Sequence, residues 1–455
     1  MDFMGLLPDF GNLLYTVGAF VLALSVIVAV HEYGHYIVGR WSGIRAEVFS
    51  LGFGPRLVSR VDRRGTRWQI ALIPLGGYVK FLGDANAASA GADDAAMAGL
   101  SAEDRRHTMH GAPLWARAAT VAAGPVFNFI LSILIFAGMI FWSGLPTERP
   151  VVGAVVALPG GSHDLRAGDE IRAVADLPVA DFAALGTVIA DLPPGETLPW
   201  RVARDGVEID LTGPQLYPAR VAGVAAQSAA HAAGLRPGDV IVAADGAPMH
   251  RFADLQAAVR AAEGAALTLT VWTPEGAAGP GQGATTRDVV LTPKVTDLPL
   301  PGGGFETDYK IGVVGSFVFE PQTRPASVTE AFGGAVAETW GVIVSSLSGL
   351  WHMITGAISS CNLRGAIGIA ETSAAAAESG AGNFIWFIAV LSAAIGLLNL
   401  FPIPVLDGGH LLFHAWEAVA GKPPSDKVLN ALTALGLALV LTLMVFGLSN
   451  DLFCP

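Results

Sequence analysis

The sequence predicts a polytopic α-helical membrane protein with four transmembrane helices and two small α+β domains between the second and third helices. Three observations support this fold class. Apolar residues make up 52% of the 455 residues and charged residues only 15%, a balance typical of membrane proteins. Four segments are long and apolar enough to cross a bilayer. A short sequence string recurs between the second and third of them.

The positions of the spans and of the basic residues predict an orientation. A spanning helix needs about 20 apolar residues, and four segments meet this need: 13–38, 118–142, 384–405 and 428–449. Eleven Lys and Arg residues lie from Arg40 to Arg117, in the loop after the first span. The positive-inside rule therefore places this loop in the cytoplasm and the long segment 143–383 outside.

The outer segment contains an internal repeat. The string LRAGDEIRAVAD at 165–176 recurs as LRPGDVIVAADG at 235–246, 70 residues later. A helical pattern and then alternating, strand-like residues follow each copy. The repeat therefore predicts two tandem α+β domains.

These patterns divide the chain into five parts. The part 298–383 is expected to be a linker and an amphipathic helix on the outer membrane surface, and a fifth span within 326–356 is the alternative for that helix. The predicted parts are 1–145 (helices 1 and 2), 146–216 (first α+β domain), 217–297 (second α+β domain), 298–383 (linker and surface helix) and 384–455 (helices 3 and 4).

Polar side chains interrupt the first span at HEYGH, where His31 and His35 lie one helical turn apart and Glu32 follows the first histidine. Two imidazoles at i and i+4 face the same side of a helix and can bind one metal ion. Hydrolytic zinc needs three protein ligands and one open position, and Glu32 is the expected base for the attacking water. An ionisable residue within a span costs about 2.5–3.5 kcal/mol on insertion scales, which argues for a functional role.

The third ligand is expected in NLFPIPVLDGGH at 399–410, where Asp407 ends the third helix after Pro402 and Pro404 have broken it. The first and third spans both run inward. At 1.5 Å per residue, His31 lies about 27 Å past Leu13, and Asp407 would lie about 35 Å past Phe384 in a fully helical segment. Both groups therefore lie near the cytoplasmic side, where they can meet. Two other histidines are rival ligands, His410 and His414.

Cysteine content and net charge exclude other classes of site and partner. Cys361 and Cys454 have no neighbouring cysteine, so we expect neither a disulfide framework nor a cysteine metal site. The net charge of −12 argues against nucleic acid as a main partner.

HEYGH in the first span and NLFPIPVLDGG in the third resemble the site-2 protease family of intramembrane zinc metalloproteases, in particular its bacterial regulator-of-sigma-E protease branch. That branch has four spans, with tandem PDZ domains between the second and third. Four more strings are similar to this branch: FSLGFGPRL (49–57), IPLGGYVKFLGD (73–84), AAGPVFNFILS (122–132) and NLRGAIGIAE (362–371).

The resemblance implies specific roles. It implies Zn²⁺ bound by His31, His35 and Asp407, with Glu32 as the base and Asn399 in contact with the substrate backbone. It also implies a membrane-re-entrant β-hairpin from segments 46–59 and 68–82, whose strand edge can hold an unwound substrate by strand addition. The hairpin residues expected at the substrate are Gly52, Gly54, Gly76, Gly77 and Tyr78. The residues expected in the groove of the second PDZ-like domain are Gly223 and Val224, whereas the first domain has a shorter, degenerate groove sequence.

The function that the resemblance implies is regulated intramembrane proteolysis in the bacterial inner membrane. The expected substrates are single-span membrane proteins, such as a pre-trimmed anti-sigma factor or signal-peptide remnants. The active site is expected toward the cytoplasm and the PDZ-like domains in the periplasm. A non-catalytic membrane scaffold that binds periplasmic partners is the alternative, but it predicts decay of the catalytic set, which is complete here. A zinc protease for soluble proteins is a third interpretation, disfavoured by the position of HEYGH within a span.

Overall fold

The computed structural model describes residues 10–84, 97–160, 163–225, 227–276, 283–299 and 305–454. The chain divides into two compact units. The helical unit comprises Met1–Met139, Val328–Gly356 and Ser360–Pro455, and the β-rich unit comprises Ile140–Ser327 with Ala357–Ser359.

The elements follow one another in three groups. The first group is α1 (Phe10–Trp41), β1 (Ala46–Val61), β2 (Arg67–Phe81), α2 (Ala102–Arg106) and α3 (Leu114–Ser143). The second is β3 (Leu145–Pro146), β4 (Val152–Val155), β5 (Glu170–Val174), β6 (Leu177–Pro178), α4 (Phe182–Val188), β7 (Thr197–Arg204), β8 (Val207–Pro214), β9 (Gly223–Val224), α5 (Ala229–Ala232), β10 (Val240–Ala244), β11 (Ala247–Pro248), α6 (Phe252–Ala261), β12 (Leu267–Thr273), β13 (Thr285–Leu291), β14 (Lys294–Pro299), β15 (Phe305–Lys310), β16 (Val313–Val314), β17 (Phe319–Pro321) and β18 (Thr323–Arg324). The third is α7 (Val328–Ile354), α8 (Ala366–Glu378), α9 (Ala381–Asn399), α10 (Asp407–Ala420) and α11 (Asp426–Phe453).

Four helices of the helical unit, α1, α3, α9 and α11, are long and apolar enough to cross a membrane. Their apolar stretches are Leu13–Trp41, Leu114–Ser143, Ala381–Asn399 and Lys427–Phe453, which overlap the four spans predicted from the sequence. Helix α7 forms where a surface helix was predicted, and among the described residues it does not meet the same criterion of length and hydropathy.

Small side chains let these helices pack closely, as expected where lipid removes most of the hydrophobic driving force between helices. Ala137 of α3, Ala335 of α7 and Ala389 of α9 are buried in one cluster. One turn away, the hydroxyls of Ser132 and Thr339 form a buried hydrogen bond of 3.2 Å between α3 and α7.

The third spanning helix ends earlier than predicted. Helix α9 ends at Asn399, and Asp407 is the first residue of α10 rather than the last residue of the span. The prediction that Asp407 ends the helix is therefore wrong. The reason is local, because Pro402 and Pro404 cannot donate a backbone hydrogen bond and disfavour helix before them.

A disulfide joins Cys361 to Cys454, so the expectation of no disulfide is wrong. The two residues are 93 positions apart, and only the packing of α11 against the segment before α8 brings them together. The same contact includes Asn450, whose side-chain amide donates to the backbone carbonyl of Ser360 at 2.7 Å.

Strands β1 and β2 form one long antiparallel hairpin, paired from Ala46 with Phe81 to Val61 with Arg67 and interrupted by several bulges. The predicted hairpin segments coincide with these two strands. Its central part exposes a series of large apolar side chains, namely Phe53, Leu57, Val58, Ile70, Leu72, Ile73 and Leu75. An exposed apolar patch of this kind is typical of a membrane or protein contact.

The two repeats of the β-rich unit fold into sheets of the same strand order. The first sheet has the order β6-β5-β7-β8 and the second has the order β11-β10-β12-β13. Helix α4 follows β6 and helix α6 follows β11. Each copy has its own core, around Trp200 in the first and Leu269 in the second.

The repeated Gly-Asp pair explains why the repeat is detectable in the sequence. Gly168 and Gly238 adopt positive φ values of 92° and 100°, which favour glycine. The buried Asp169 then accepts from its own turn and from Arg204 at 2.7 Å. Asp239 likewise accepts from its turn and from Thr273 at 2.7 Å. Each buried carboxylate is thus compensated, as burial requires.

The segment predicted as the start of a linker belongs to the sheets instead. Strand β16 pairs with β9, and strand β17 pairs with β4. Ile311 and Phe319 are buried in the cores of the second and first copies respectively. The second copy is therefore inserted within the first, and the predicted boundary at residue 298 is wrong. Strand pairings of two or three residues between distant parts of the chain carry no periodic signal that could have revealed this.

Candidate active site

The three predicted metal ligands lie together. The Nε2 atoms of His31 and His35 are 3.2 Å apart. Asp407 places Oδ2 3.2 Å from Nε2 of His31 and Oδ1 3.5 Å from Nε2 of His35. The three side chains are only 12–17% exposed. Among the described residues, this is the one group of three or more His, Cys, Asp or Glu side chains whose ligand atoms lie close enough together to bind one metal ion.

The spacing of these atoms fits a zinc ion. Ligand atoms about 2.0–2.1 Å from a tetrahedral ion lie about 3.3–3.4 Å from one another, which agrees with the observed separations. The donor set of two imidazoles and one carboxylate also suits zinc. Oδ2 of Asp407 is buried and has no hydrogen-bond partner within the described part of the chain, so a cation would satisfy it.

Local sequence explains how Asp407 reaches the histidines. After α9 ends, the chain turns through backbone bonds from Ile403 to Phe401 and from Leu406 to Ile403. A Cβ atom at Gly408 would collide with the carbonyl of Leu400, so only glycine permits this close approach. The sequence Leu-Asp-Gly-Gly therefore starts a new helix directly beside α1.

Helix α3 lies against the histidines through glycines. A Cβ atom at Gly34 would lie 2.5 Å from the carbonyl oxygen of Ala123. A Cβ atom at Gly124 would meet Nε2 of His35 and would lie 2.8 Å from Cε1 of His31. Any side chain at Gly124 would thus occupy space next to the proposed ligand atoms.

Glu32 lies beside strand β2. The backbone of Val79 lies close to its carboxylate. A Cβ atom at Gly77 would lie 3.0 Å from Cγ of Glu32. The strand therefore passes across the predicted base and fixes its position.

The residues predicted to contact the substrate do not all lie at the cluster of His31, His35 and Asp407. Gly77 adjoins Glu32, and Asn399 ends α9 eight residues before Asp407. Gly52 and Gly76 instead shape the hairpin, since Cβ atoms there would lie 2.7 Å from the carbonyl oxygen of Ile73 and 2.5 Å from the ring of Phe53.

The remaining hairpin residues also contact the hairpin itself. A Cβ atom at Gly54 would lie 3.6 Å from Ile73. The ring of Tyr78 stacks on Phe53, and its hydroxyl accepts from Gln69 at 3.3 Å.

The two rival ligands are not part of the cluster of His31, His35 and Asp407 found among the described residues. Burial lowers the pKa of His410, and it lowers the pKa of His414 to about 4, with Arg117 and His410 adding to the effect. Nδ1 of His414 is buried and has no hydrogen-bond partner in the described part of the chain. Both rings are therefore neutral at pH 7.

Sequence reasoning missed the partners behind the histidines. Nδ1 of His35 donates to the backbone carbonyl of Thr120 at 2.8 Å. The side-chain amide of Asn128 lies 3.3 Å from Nδ1 of His31. A lone asparagine in the apolar string AAGPVFNFILS was the available signal.

A cavity of about 530 Å³ lies in the β-rich unit and is lined by residues of both repeats, including His163 and His250. Gly223 and Val224, predicted for a peptide groove, are not among its lining residues. They form β9, which pairs with Val313–Val314.

Comparison with known proteins matches nearly the whole chain. The model of the family described as Peptidase family M50 matches residues 19–443. The chain is 37% identical over 439 residues to "Putative zinc metalloprotease Atu1380" of Agrobacterium fabrum, covering 95% of this chain and 94% of the relative. It is 34% identical over 477 residues to "Regulator of sigma-E protease RseP" of Escherichia coli, covering 97% and 99%. The chain therefore belongs to peptidase family M50, the site-2 protease family of zinc metalloproteases.

Proposed function

We propose that the chain is an intramembrane zinc endoprotease that cleaves single-span membrane proteins within or near the bilayer. The observation that carries this proposal is the meeting of His31, His35 and Asp407 at separations of 3.2–3.5 Å. The helix that bears both histidines is one of the four that are long and apolar enough to span a membrane.

The residues around the ligands have complementary roles. Zinc, when held by His31, His35 and Asp407, supplies Lewis-acid polarisation of the scissile carbonyl and lowers the pKa of water. Glu32 takes a proton from the attacking water and passes it to the leaving amine. Strand β2, which lies against Glu32 at Gly77, restricts the position of the Glu32 side chain.

A substrate helix must unwind before it is cut, because its peptide bonds are shielded by their own hydrogen bonds. Strand β2 runs beside Glu32 and can hold the extended form by strand addition. Gly77 lets β2 pass close to the base, because a Cβ atom there would lie 3.0 Å from Cγ of Glu32. Asn399, at the end of α9, is proposed to bond to the substrate backbone. The close approach of β2 to Glu32 supports the substrate-binding role proposed for Gly77, whereas the role of Asn399 rests on the family resemblance.

The proposed substrates are a pre-trimmed anti-sigma factor or signal-peptide remnants. The name of the Escherichia coli relative, a regulator of sigma-E protease, supports the first of these. We place the chain in the bacterial inner membrane with the active site toward the cytoplasm, which the basic loop from Arg40 to Arg117 supports.

The β-rich unit is proposed to be a PDZ-like pair on the periplasmic side. Two sheets of equal strand order and a cavity lined by both copies support this interpretation. A pair of this kind can act as a filter that excludes substrates with bulky outer domains.

The decisive experiment replaces Glu32 with Gln and measures cleavage of a model single-span substrate in liposomes. We expect cleavage to stop while zinc content is unchanged, because the amide cannot accept the proton. Cleavage at the wild-type rate would show that Glu32 is not the base. The matched control is Glu208→Gln, at an exposed position of β8, which should cleave normally.

A further inference from the structure

The amide of Asn128 lies behind His31, on the side away from Asp407. Asn128 is fully buried in α3. One atom of its amide, placed as Nδ2, lies 3.3 Å from Nδ1 of His31. The other atom, Oδ1, is buried and has no hydrogen-bond partner among the described residues.

His35 shows how the second ring nitrogen of a ligand is fixed. Its Nδ1 lies 2.8 Å from the carbonyl oxygen of Thr120, and a carbonyl oxygen can only accept. Nδ1 of His35 therefore carries the hydrogen, and Nε2 presents its lone pair toward His31 and Asp407. Metal-bound histidines commonly depend on such a partner for tautomer and ring orientation.

The same requirement applies to His31. Its Nε2 faces His35 and Asp407, so a lone pair on Nε2 requires the hydrogen on Nδ1. An amide nitrogen opposite that hydrogen would place two donors face to face. The oxygen and nitrogen of an asparagine amide exchange places by a half-turn with almost no change of shape. The half-turn pairs the buried Oδ1 with the Nδ1 hydrogen and leaves only the amide nitrogen without a partner among the described residues, so a repulsive contact becomes a hydrogen bond.

We propose that Asn128 is the positioning residue for His31, with Oδ1 accepting the Nδ1 hydrogen and so directing the Nε2 lone pair at zinc. This inference rests on the zinc site proposed above. The two ligands of α1 would then each have an acceptor on α3, a backbone carbonyl for His35 and a side-chain amide for His31.

The turn of α3 that carries Asn128 is held by α9. The hydroxyl of Ser392 donates to the backbone carbonyl of Asn128 at 2.9 Å. A Cβ atom at Gly396 would lie 3.1 Å from Cβ of Asn128, so the two helices are in close contact there. The amide is therefore presented to His31 from a rigid support.

The test measures zinc affinity of the full-length protein in detergent by competition with a chelator. Asn128→Leu keeps a similar volume and removes the acceptor, and we expect a loss of affinity of about 10–100-fold. Asn128→Asp keeps an acceptor in the same place. Its zinc affinity should lie within a few-fold of that of the wild type. Absorption of the Co²⁺-substituted protein reports whether the ligand field of the leucine variant has changed.

A control separates positioning from general loosening of α3. Ser132→Ala removes a buried polar group one turn further along the helix, where Ser132 bonds to Thr339. Its zinc affinity should equal that of the wild type. Equal losses in Ser132→Ala and Asn128→Leu, or wild-type affinity in Asn128→Leu, would overturn the inference.

The site itself is tested apart from the inference by His31→Ala. Loss of zinc in His31→Ala together with wild-type affinity in Asn128→Leu would refute only the role of Asn128. Wild-type affinity in His31→Ala would refute the proposed zinc site.

Discussion

Arg117 and Glu417 form a two-point ion pair, with nitrogen–oxygen distances of 3.0 and 2.6 Å, between the first turn of α3 and the last turn of α10. Both side chains are less than a fifth exposed. Bidentate pairs of this kind fix relative geometry as well as adding energy. The pair therefore braces the helix whose first residue is Asp407 against the helix that packs on the histidines.

Glu417→Ala should weaken this brace. Removal of one partner leaves the other charge partly buried and uncompensated, at a cost of about 1–3 kcal/mol. We expect a several-fold loss of zinc affinity, measured by chelator competition. The charge exchange Arg117→Glu with Glu417→Arg should restore part of the affinity. A double variant as weak as the single variant would mean that the pair does not position Asp407.

Gly124→Ala should reduce zinc content sharply, because the new Cβ atom would meet the ring atoms of both histidines. Alanine is the better helix former by about 1 kcal/mol, so helix propensity cannot cause the loss. The measurement is zinc per protein by elemental analysis after purification. Gly138→Ala on the same helix is the matched control, since its Cβ would meet nothing within 4 Å, and it should keep full zinc content.

Cys361→Ser should release the end of α11. In the chain-entropy model, a loop closed over 93 residues contributes up to about 4–5 kcal/mol, and less where spanning helices already confine the chain. We expect faster amide exchange near Ser360–Asn362 and in the last turn of α11, measured by mass spectrometry. Reduced wild-type protein should behave in the same way. Unchanged exchange in both samples would show that the bonds of Asn450 and Asp451 suffice to hold this end.

Asp308 should stabilise the β-rich unit at neutral pH. Hydrogen bonds from Lys310 and Arg260 lower the pKa of Asp308 to about 2, below the ordinary value of about 3.9. A lowered folded-state pKa gives stability that is complete above the unfolded pKa and is lost as pH falls through the folded pKa. Asp308→Asn should therefore be less stable than wild type at pH 7, with the difference shrinking between about pH 4 and pH 2.

This difference is measured by urea unfolding of the full-length protein. Unfolding is followed by hydrogen exchange in peptides from Lys294–Pro299 and Phe305–Lys310. Asp191→Asn, at an exposed position of the same unit, serves as the control. A stability difference that stays constant down to pH 2 would contradict the role of the Asp308 carboxylate.

The sequence could predict the elements that depend on local pattern. The four spans follow from length and hydropathy, and His31 and His35 follow from their spacing on a helix. Asp407 could be paired with them because both spans were expected to run in the same direction. The end of α9 was misjudged because the hydropathy of 400–405 continues past the point where proline stops the helix.

Features that depend on distant residues escaped prediction. Cys361 and Cys454 meet only because α11 returns to the start of α8. Ile311 and Phe319 complete cores that begin more than 80 residues earlier. Asn128 is one of a few polar residues in an apolar helix, and only the folded structure shows that it faces His31.

The strands β3 and β18 have a consequence for how the β-rich unit is built into the chain. Leu145 pairs with Arg324 and Pro146 with Thr323, so the unit enters and leaves through neighbouring strands about 5 Å apart. Its two ends are thus no farther apart than those of a simple hairpin. The 176 residues from Thr147 to Gln322 are therefore an insertion between two paired strands. A two-residue hairpin turn could connect the same two strands.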